Sequence, residues 1–181
     1  MSPKQLSFLN QDKTIYVIDA NALIHLERHF PKNNSAFAAI WEEIEALMAV
    51  GSFITLDYVE EEINSYAGHR TFLQTWIKDC KKEFVVATDE ICFNAARPII
   101  NQEYSTGFFD AKKQADGKEE ADPYLIAYCQ INGCTLITNE SKMHPHRIPA
   151  VAKKLNVKCI DIADFLEERG LRMQRRAETP P

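Results

Sequence analysis

Four short apolar runs alternate with helical segments along this chain, and that alternation limits the folds that it can adopt. Residues 15–18 form an all-apolar run rich in β-branched residues, which is typical of a strand buried on both faces. Further strands are indicated at residues 53–56, 135–138 and 157–160. Strands that alternate with helices predict a right-handed, doubly wound α/β fold around a parallel sheet.

Helical segments fill the stretches between these strands. The clearest is an amphipathic segment that begins at Ser35, a candidate N-cap, and Asp57 and Thr88 are candidate N-caps of two later helices. Pro98 is expected to kink the second of these or to start a new turn, and the polar segment at residues 101–118 reads as a loop. The other helical segments are residues 21–28, 72–82, 121–131, 148–155 and 163–169.

Size and composition fit one globular domain. The chain has 181 residues, of which 45% are apolar and 26% charged, so it can bury a sizeable core. We expect residues 1–181 to form that single domain, with residues 1–13 as an N-terminal arm and residues 171–181 as a flexible tail. The net charge of -5 argues against a broad basic surface but leaves room for a local basic groove.

The cysteine pattern and the hydropathy predict a cytoplasmic protein. The five cysteines are odd in number and have no CxxC spacing, so reduced thiols are expected rather than disulfides or a zinc site. No stretch is long and apolar enough to cross a membrane, and residues 1–13 lack the apolar core of a signal peptide.

Four acidic residues stand where an apolar run meets a turn or a helix start, and they are Asp19, Glu62, Asp122 and Glu140. A carboxylate beside a buried strand or on the inner face of a helix is unfavourable unless another group neutralises it. Four of them at one place would repel strongly, and a divalent cation removes that repulsion. Because hard oxygen ligands favour Mg²⁺ or Mn²⁺, the sequence predicts such an ion beyond the carboxyl ends of the strands.

Helical periodicity separates these acids from their charged neighbours. Glu62 falls on the apolar face of its helix, whereas Glu60 and Glu61 are expected to face solvent. By the same test Asp122 shares the apolar face of the next acidic helix, and Glu120 points nearly opposite.

Simpler roles stay open for each of the candidate acids. Asp19 can be only an N-cap, Asp122 only a first-turn acid, and Glu140 only part of a polar turn. Asp161, which follows the last predicted strand, ranks lower as a metal ligand because it is well placed to cap the final helix.

Polar residues close to the last acid are candidate substrate contacts. Asn139 precedes Glu140, and Lys142, His144 and Arg147 follow it in the same loop. Basic groups there would form a local positive rim suited to a phosphate backbone. The alternative is that each of them is an ordinary solvated surface residue.

Together these segments resemble a PIN-domain nuclease of the VapC-like ribonuclease type. The resemblance rests on YVIDANALI around Asp19, LDYVEEEI around Glu62, EEADPYLIAYC around Asp122 and TLITNE ending at Glu140. It covers roughly residues 15–170. The stretch HRIPAVAKKLNVKCIDIADFLEERG is also similar to an uncharacterised branch of that family, whose members sit near toxin–antitoxin loci.

The resemblance implies a three-layer α/β/α PIN-like fold with a parallel sheet of about five strands. It implies a Mg²⁺- or Mn²⁺-dependent endoribonuclease in which Asp19, Glu62, Asp122 and Glu140 take the catalytic, metal-binding positions. Asn21 matches a polar position near the first acid, and the family more often has Asp where this chain has Glu140. The implied partners are RNA and a cognate antitoxin protein, while a homodimer stays open and no membrane partner is expected.

Two other functions fit part of the pattern. An aspartate-based phosphatase or phosphotransfer domain also places Asp after its first strand, but the haloacid-dehalogenase-like version has a second Asp where this chain has Asn21. A catalytically silent PIN-like binding module would keep the fold, although intact acids at all four positions argue against it.

Overall fold

The computed structural model describes residues 14–65, 72–109 and 120–171. These residues contain the strands β1 (Tyr16–Ile18), β2 (Phe53–Leu56), β3 (Val85–Val86), β4 (Thr135–Ile137) and β5 (Cys159–Ile160). All five strands run parallel in one sheet of spatial order β3-β2-β1-β4-β5.

Helices cover both faces of this sheet. The helices in the described residues are α1 (Ala20–His29), α2 (Ala38–Ala49), α3 (Asp57–Ser65), α4 (Phe72–Phe84), α5 (Glu90–Glu103), α6 (Asp122–Asn132), α7 (Ile148–Lys154) and α8 (Ile162–Glu168). The helices that follow β1 and β2 contact one another, as do those that follow β3 and β4. Right-handed crossovers that run in opposite directions along a sheet place their helices on opposite faces. The predicted three-layer α/β/α fold with five parallel strands is therefore confirmed.

The position of β1 fixes where a ligand can bind. All three residues of β1 are buried, and Tyr16 lies opposite Phe53 of β2 and Thr135 of β4. From β1 the chain first adds β2 and β3 on one side of the sheet and then adds β4 and β5 on the other side. The strand order therefore reverses between β1 and β4. Sheets of this kind bind ligands in the crevice beyond the carboxyl ends of the strands at such a reversal.

Two helix starts differ from the sequence-based expectation. Asn34 rather than Ser35 accepts the capping hydrogen bond, and it begins a short 3₁₀ turn that precedes α2. Asp89 rather than Thr88 caps α5. Thr88 is already engaged, because its hydroxyl donates a hydrogen bond of 2.6 Å to the carboxylate of Asp57.

The predicted boundaries around the polar segment were also partly wrong. Helix α5 continues through Pro98 to Glu103, so the first residues of the segment predicted as a loop are helical. Pro98 is exposed, and so is Asn94, the residue whose carbonyl the proline leaves without its usual helical partner. The short strand β3 was not among the predicted strands. The predicted N-terminal arm, the predicted C-terminal tail beyond residue 171 and residues 110–118 of the polar segment lie outside the described residues.

The thiols are as expected. All five cysteines lie in the described residues and none forms a disulfide. Burial raises the pKa of every one of them, which keeps the thiols protonated and unreactive at neutral pH. No helix in the described part of the chain has the length and hydropathy needed to cross a membrane.

The left-handed conformation of Gly133 provides a stability test of the turn between α6 and β4. Gly133 has φ 65° and ψ 30°, and a Cβ atom added there would meet nothing within 4 Å. Gly133→Val should therefore lower the free energy of unfolding by roughly 1–2 kcal/mol through backbone strain alone. Gly133→Asn should cost less, because Asn tolerates this conformation. Urea denaturation measures both, and a Val variant as stable as the parent would contradict the strain argument.

Candidate functional site

Asp19 lies at the strand reversal and is held from two sides. It follows β1 directly and caps α1, where its Oδ1 accepts a hydrogen bond of 2.6 Å from the backbone N–H of Ala22. Its Oδ2 accepts a hydrogen bond of 2.5 Å from the hydroxyl of Thr138, which follows β4. Asp19 is only 3% exposed. Both carboxylate oxygens are thus oriented in a buried position between the two strand ends.

The surroundings of Asp19 disfavour its charged form. Its pKa is raised to about 7, and burial is the largest cause. The hydrogen bonds from Thr138 and Ala22 lower the pKa, and the negative charges of Glu140 and Glu62 raise it. A carboxyl group held at the edge of ionisation at neutral pH is one that a nearby cation would stabilise as the anion.

Asp122 experiences the same electrostatic field. It is the first residue of α6 and keeps some access to solvent. Burial is nevertheless the largest cause that raises its pKa well above the usual range, followed by the charges of Glu140, Asp19, Glu120 and Glu62. Each of the four predicted acids therefore either feels or contributes to one shared negative field.

Glu62 is the residue of its acidic run that lines a cleft. It is half-buried on α3 and forms part of the wall of a cleft between α3 and α1. Glu61 is exposed, as the periodicity predicts. Glu60 is not simply solvated, because its carboxylate forms an ion pair of 2.7 Å with Lys81 of α4.

Glu140 is bound by neighbours within its own loop. Its Oε2 accepts a hydrogen bond of 2.9 Å from the backbone N–H of Ile148 at the start of α7, and its Oε1 lies 3.3 Å from Arg147. For Glu140 to join Asp19 and Asp122 as a ligand, its carboxylate would have to leave both partners. Within residues 14–65, 72–109 and 120–171, no three His, Cys, Asp or Glu side chains are grouped so as to hold a metal ion.

The donor set nevertheless suits a hard cation. Every acidic group in the shared field is a carboxylate, and the pKa values of Asp19 and Asp122 are raised by the charges of the others. Carboxylate oxygens are the donors that Mg²⁺ and Mn²⁺ prefer, and Mg²⁺ keeps several water molecules, so few direct protein ligands suffice. Asp19, Asp122 and Glu62 are the candidates to bind such an ion, but the described residues do not group any three such side chains as ligands.

The expectation for Glu120 was wrong. Its side chain is 9% exposed, and its charge raises the pKa of Asp122. The periodicity argument failed because α6 begins at Asp122, so Glu120 lies before the helix and does not follow its face. Glu120 therefore joins the acidic group.

The predicted substrate contacts mostly have partners within the protein. Asn139 accepts a hydrogen bond through Oδ1 from the backbone N–H of Ile162, at 3.3 Å. Lys142 bridges Asp161 at 2.8 Å and Asp164 at 2.9 Å, and these carboxylates raise its pKa.

The other predicted contacts differ in their exposure. Arg147 is paired with Glu140, whereas Asn21 and His144 are exposed. Asp161 caps α8 through a capping box, as expected.

Sequence reasoning missed Thr138 as a site residue. It was treated as the last residue of a strand, although a hydroxyl that ends a buried apolar run is a signal for a hydrogen bond at that edge. Its Oγ1 also accepts a hydrogen bond of 3.2 Å from the backbone N–H of Glu140. Thr138 therefore links the loop of the fourth acid to the first acid.

Two clefts open on either side of α1 beside these acids. One, of about 340 Å³, is lined by residues of α1 and α3 and includes Asn21 and Glu62. The other, of about 480 Å³, includes Asn139 and Glu140. His25 lines both clefts.

These features define an α/β protein with a doubly wound parallel sheet and a group of acidic side chains at its strand reversal. The chain belongs to the family described as "Domain of unknown function (DUF4411)", whose model matches residues 16–173. The comparison with curated proteins finds no match.

Two solved structures are distantly similar to the chain. One is the crystal structure of PAE2754 from Pyrobaculum aerophilum, at 13% identity and a TM-score of 0.49, covering 95% of this chain and 100% of that one. The other is the structure of FitAB bound to an IR36 DNA fragment, at 12% identity and a TM-score of 0.47, covering 90% and 99%. Similarity at this level does not transfer an activity.

The raised pKa of Asp19 predicts a pH-dependent gain in stability for Asp19→Asn. Between about pH 4 and about pH 7 the folded protein keeps a proton on Asp19 that the unfolded chain has lost, so this contribution to stability falls as pH rises. Without divalent ions, Asp19→Asn should therefore be more stable than the parent at about pH 8, by on the order of 2–3 kcal/mol. The difference should nearly vanish at about pH 4.

Urea denaturation in EDTA at both pH values measures this difference. Addition of Mn²⁺ at about pH 8 should stabilise the parent and not the variant, because an ion that binds only the folded anion adds to stability. An Asp19→Asn protein that is less stable than the parent at about pH 8 in EDTA would contradict the burial argument.

Proposed function

We propose that this protein is a Mg²⁺- or Mn²⁺-dependent endoribonuclease of the PIN type and the toxin of a toxin–antitoxin pair. The observation that supports this most is Asp19, a buried carboxylate at the strand reversal whose pKa is raised by two other acids of the predicted set. The motif order YVIDANALI, LDYVEEEI, EEADPYLIAYC and TLITNE supports the same assignment.

In this proposal Asp19, Asp122 and Glu62 hold the ion, with Glu140 as a fourth ligand once it leaves Arg147 and the backbone N–H of Ile148. Such an ion supplies charge stabilisation at the scissile phosphate and lowers the pKa of a bound water. Thr138 and the N–H of Ala22 keep Asp19 in one orientation, so its oxygens need little rearrangement.

Asp122 is our candidate for orienting the attacking water, because it lies in the same negative field as Asp19 and keeps some access to solvent. Release of Arg147 from Glu140 would give the same loop a cation for the phosphate. An antitoxin would then inhibit by occupying the acidic crevice with a basic side chain.

An aspartyl-phosphate role for Asp19 is less well supported. Both of its carboxylate oxygens already accept hydrogen bonds, and the residue two positions on is Asn21 rather than a second Asp. The silent binding module stays open, because the described residues contain no group of three side chains placed to hold a metal ion, and the cleavage assay below separates it from an enzyme.

The first prediction of the proposal is divalent-dependent RNA cleavage. The purified chain should cleave RNA in Mn²⁺ or Mg²⁺ and not in EDTA, and Asp19→Asn should reduce the rate by at least about 100-fold. Glu62→Gln should also reduce the rate, whereas Glu61→Gln is the matched control on the same helix because Glu61 is exposed.

The readout is the initial rate on a labelled single-stranded RNA, with circular dichroism to show that each variant is folded. A parent that never cleaves RNA in either ion, or an Asp19→Asn variant with the parent's rate, would reject the nuclease assignment.

A second prediction concerns Thr138 as a positioning residue. Thr138→Val removes the hydrogen bond that lowers the pKa of Asp19, so the pH midpoint of cleavage should rise by roughly one unit and the rate at neutral pH should fall. Thr138→Ser keeps the hydroxyl and should restore the parent's midpoint. Equal pH profiles for the Val and Ser variants would show that this hydrogen bond does not tune the site.

A further inference from the structure

The cleft between α1 and α3 contains basic and aromatic side chains that the site described above does not use. Its wall on the α1 side includes Asn21, His25, Arg28 and His29, and its wall on the α3 side includes Glu62. The cleft therefore begins at the acidic group and continues toward the carboxyl end of α1.

These side chains form one stripe along α1. Asn21, His25 and Arg28 occupy positions i, i+4 and i+7, which share a face of a helix. At a rise of about 1.5 Å per residue, Arg28 lies about 10 Å along the helix from Asn21. Asn21 is itself only two residues from Asp19, so the stripe starts beside the buried carboxylate.

Arg28 is a cation without an acidic partner among the described residues, and it is exposed. The basic residues on the other side of α1 differ, because Lys142 is bound to two carboxylates and Arg147 is bound to Glu140. Of these three basic residues, Arg28 is thus the one that an incoming anion can contact without breaking an ion pair.

Two histidine rings complete the cleft. The ring centroids of His25 and His29 are 4.2 Å apart with an angle of 35° between the planes. His29 is exposed, so it offers a ring edge and face to a ligand in the cleft. Nucleic-acid bases stack on such rings with little dependence on their identity.

A simpler role for Arg28 is to interact with the dipole at the carboxyl end of α1, where it and His29 occupy the last turn. That role would affect helix stability, and it would leave RNA affinity unchanged. The two roles are therefore separable by experiment.

We propose that the cleft from Asn21 to Arg28 is the path of the single RNA strand that leads away from the scissile phosphate. Arg28 binds a backbone phosphate and His29 stacks on a base. This inference rests on the proposed ribonuclease function and deepens it, since it names the protein groups that bind the substrate beside the acidic group.

The test measures RNA binding apart from cleavage. In the full-length Asp19→Asn protein, which should not cleave, fluorescence anisotropy gives the affinity for a labelled single-stranded RNA at several salt concentrations. Adding Arg28→Gln should weaken binding roughly five- to tenfold and reduce the slope of log K against log salt by about 0.7. Arg97→Gln is the control with the same charge change, because Arg97 is exposed on α5 and lies outside the cleft.

A second pair of variants tests the ring. His29→Ala should weaken binding, whereas His29→Phe keeps an aromatic face and should retain most of the affinity. Thermal unfolding of each variant shows whether any loss reflects stability instead of contact.

The outcomes separate this inference from the proposed function. Equal affinities for the Arg28→Gln and Arg97→Gln proteins, or no RNA binding in the Asp19→Asn background, would overturn the path along α1 even if the parent cleaves RNA. Binding that depends on Arg28 in a parent that never cleaves would support the path and overturn the nuclease.

Discussion

The hydrogen bond from Thr138 to Asp19 is the interaction on which the candidate site depends. It joins the ends of β1 and β4, the two strands between which the sheet order reverses, and so fixes the first acid at the crevice that this topology creates. Thr138 also accepts from the backbone N–H of Glu140. The Thr138 hydroxyl thereby links Asp19 to the loop that carries Glu140. It also lowers the pKa of Asp19, whereas burial and the neighbouring charges raise that pKa.

The parts of the fold that were predictable from sequence are those with a strong periodic signal. The run at residues 15–18 predicted β1 almost completely, and the helix predicted at residues 121–131 agrees with α6 to within one residue at each end. The capping residues were less predictable. Ser35 and Thr88 have the right chemistry for a cap, but Thr88 bonds to Asp57, which lies 31 positions earlier in the chain. Such long-range competition for a side chain leaves no trace in a local pattern.

The burial of Asp19 and the partial burial of Asp122 were predictable from the sequence, whereas the pairing of the basic residues near them was not. Asp19 and Asp122 could be identified because they lie beside apolar residues, and a carboxylate becomes unfavourable there once those residues form a core. Glu120 was misjudged because helix periodicity was applied before the helix begins. Lys142 is neutralised by residues 19 and 22 positions away along the chain, Asp161 and Asp164, so its sequence neighbourhood does not reveal its pairing.

In the proposed nuclease, charge balance links the metal, the substrate and the stripe on α1. A crevice with several carboxylates repels a phosphate backbone until a cation reduces its negative charge, so ion binding and RNA binding should strengthen each other by the same factor. Arg28 and Glu62 lie along one cleft. The attraction between Arg28 and a phosphate would offset the repulsion between Glu62 and that phosphate. Under the proposed function, a protein with a net charge of -5 would bind a polyanion through one local route, and the axis of α1 would set the direction of that route.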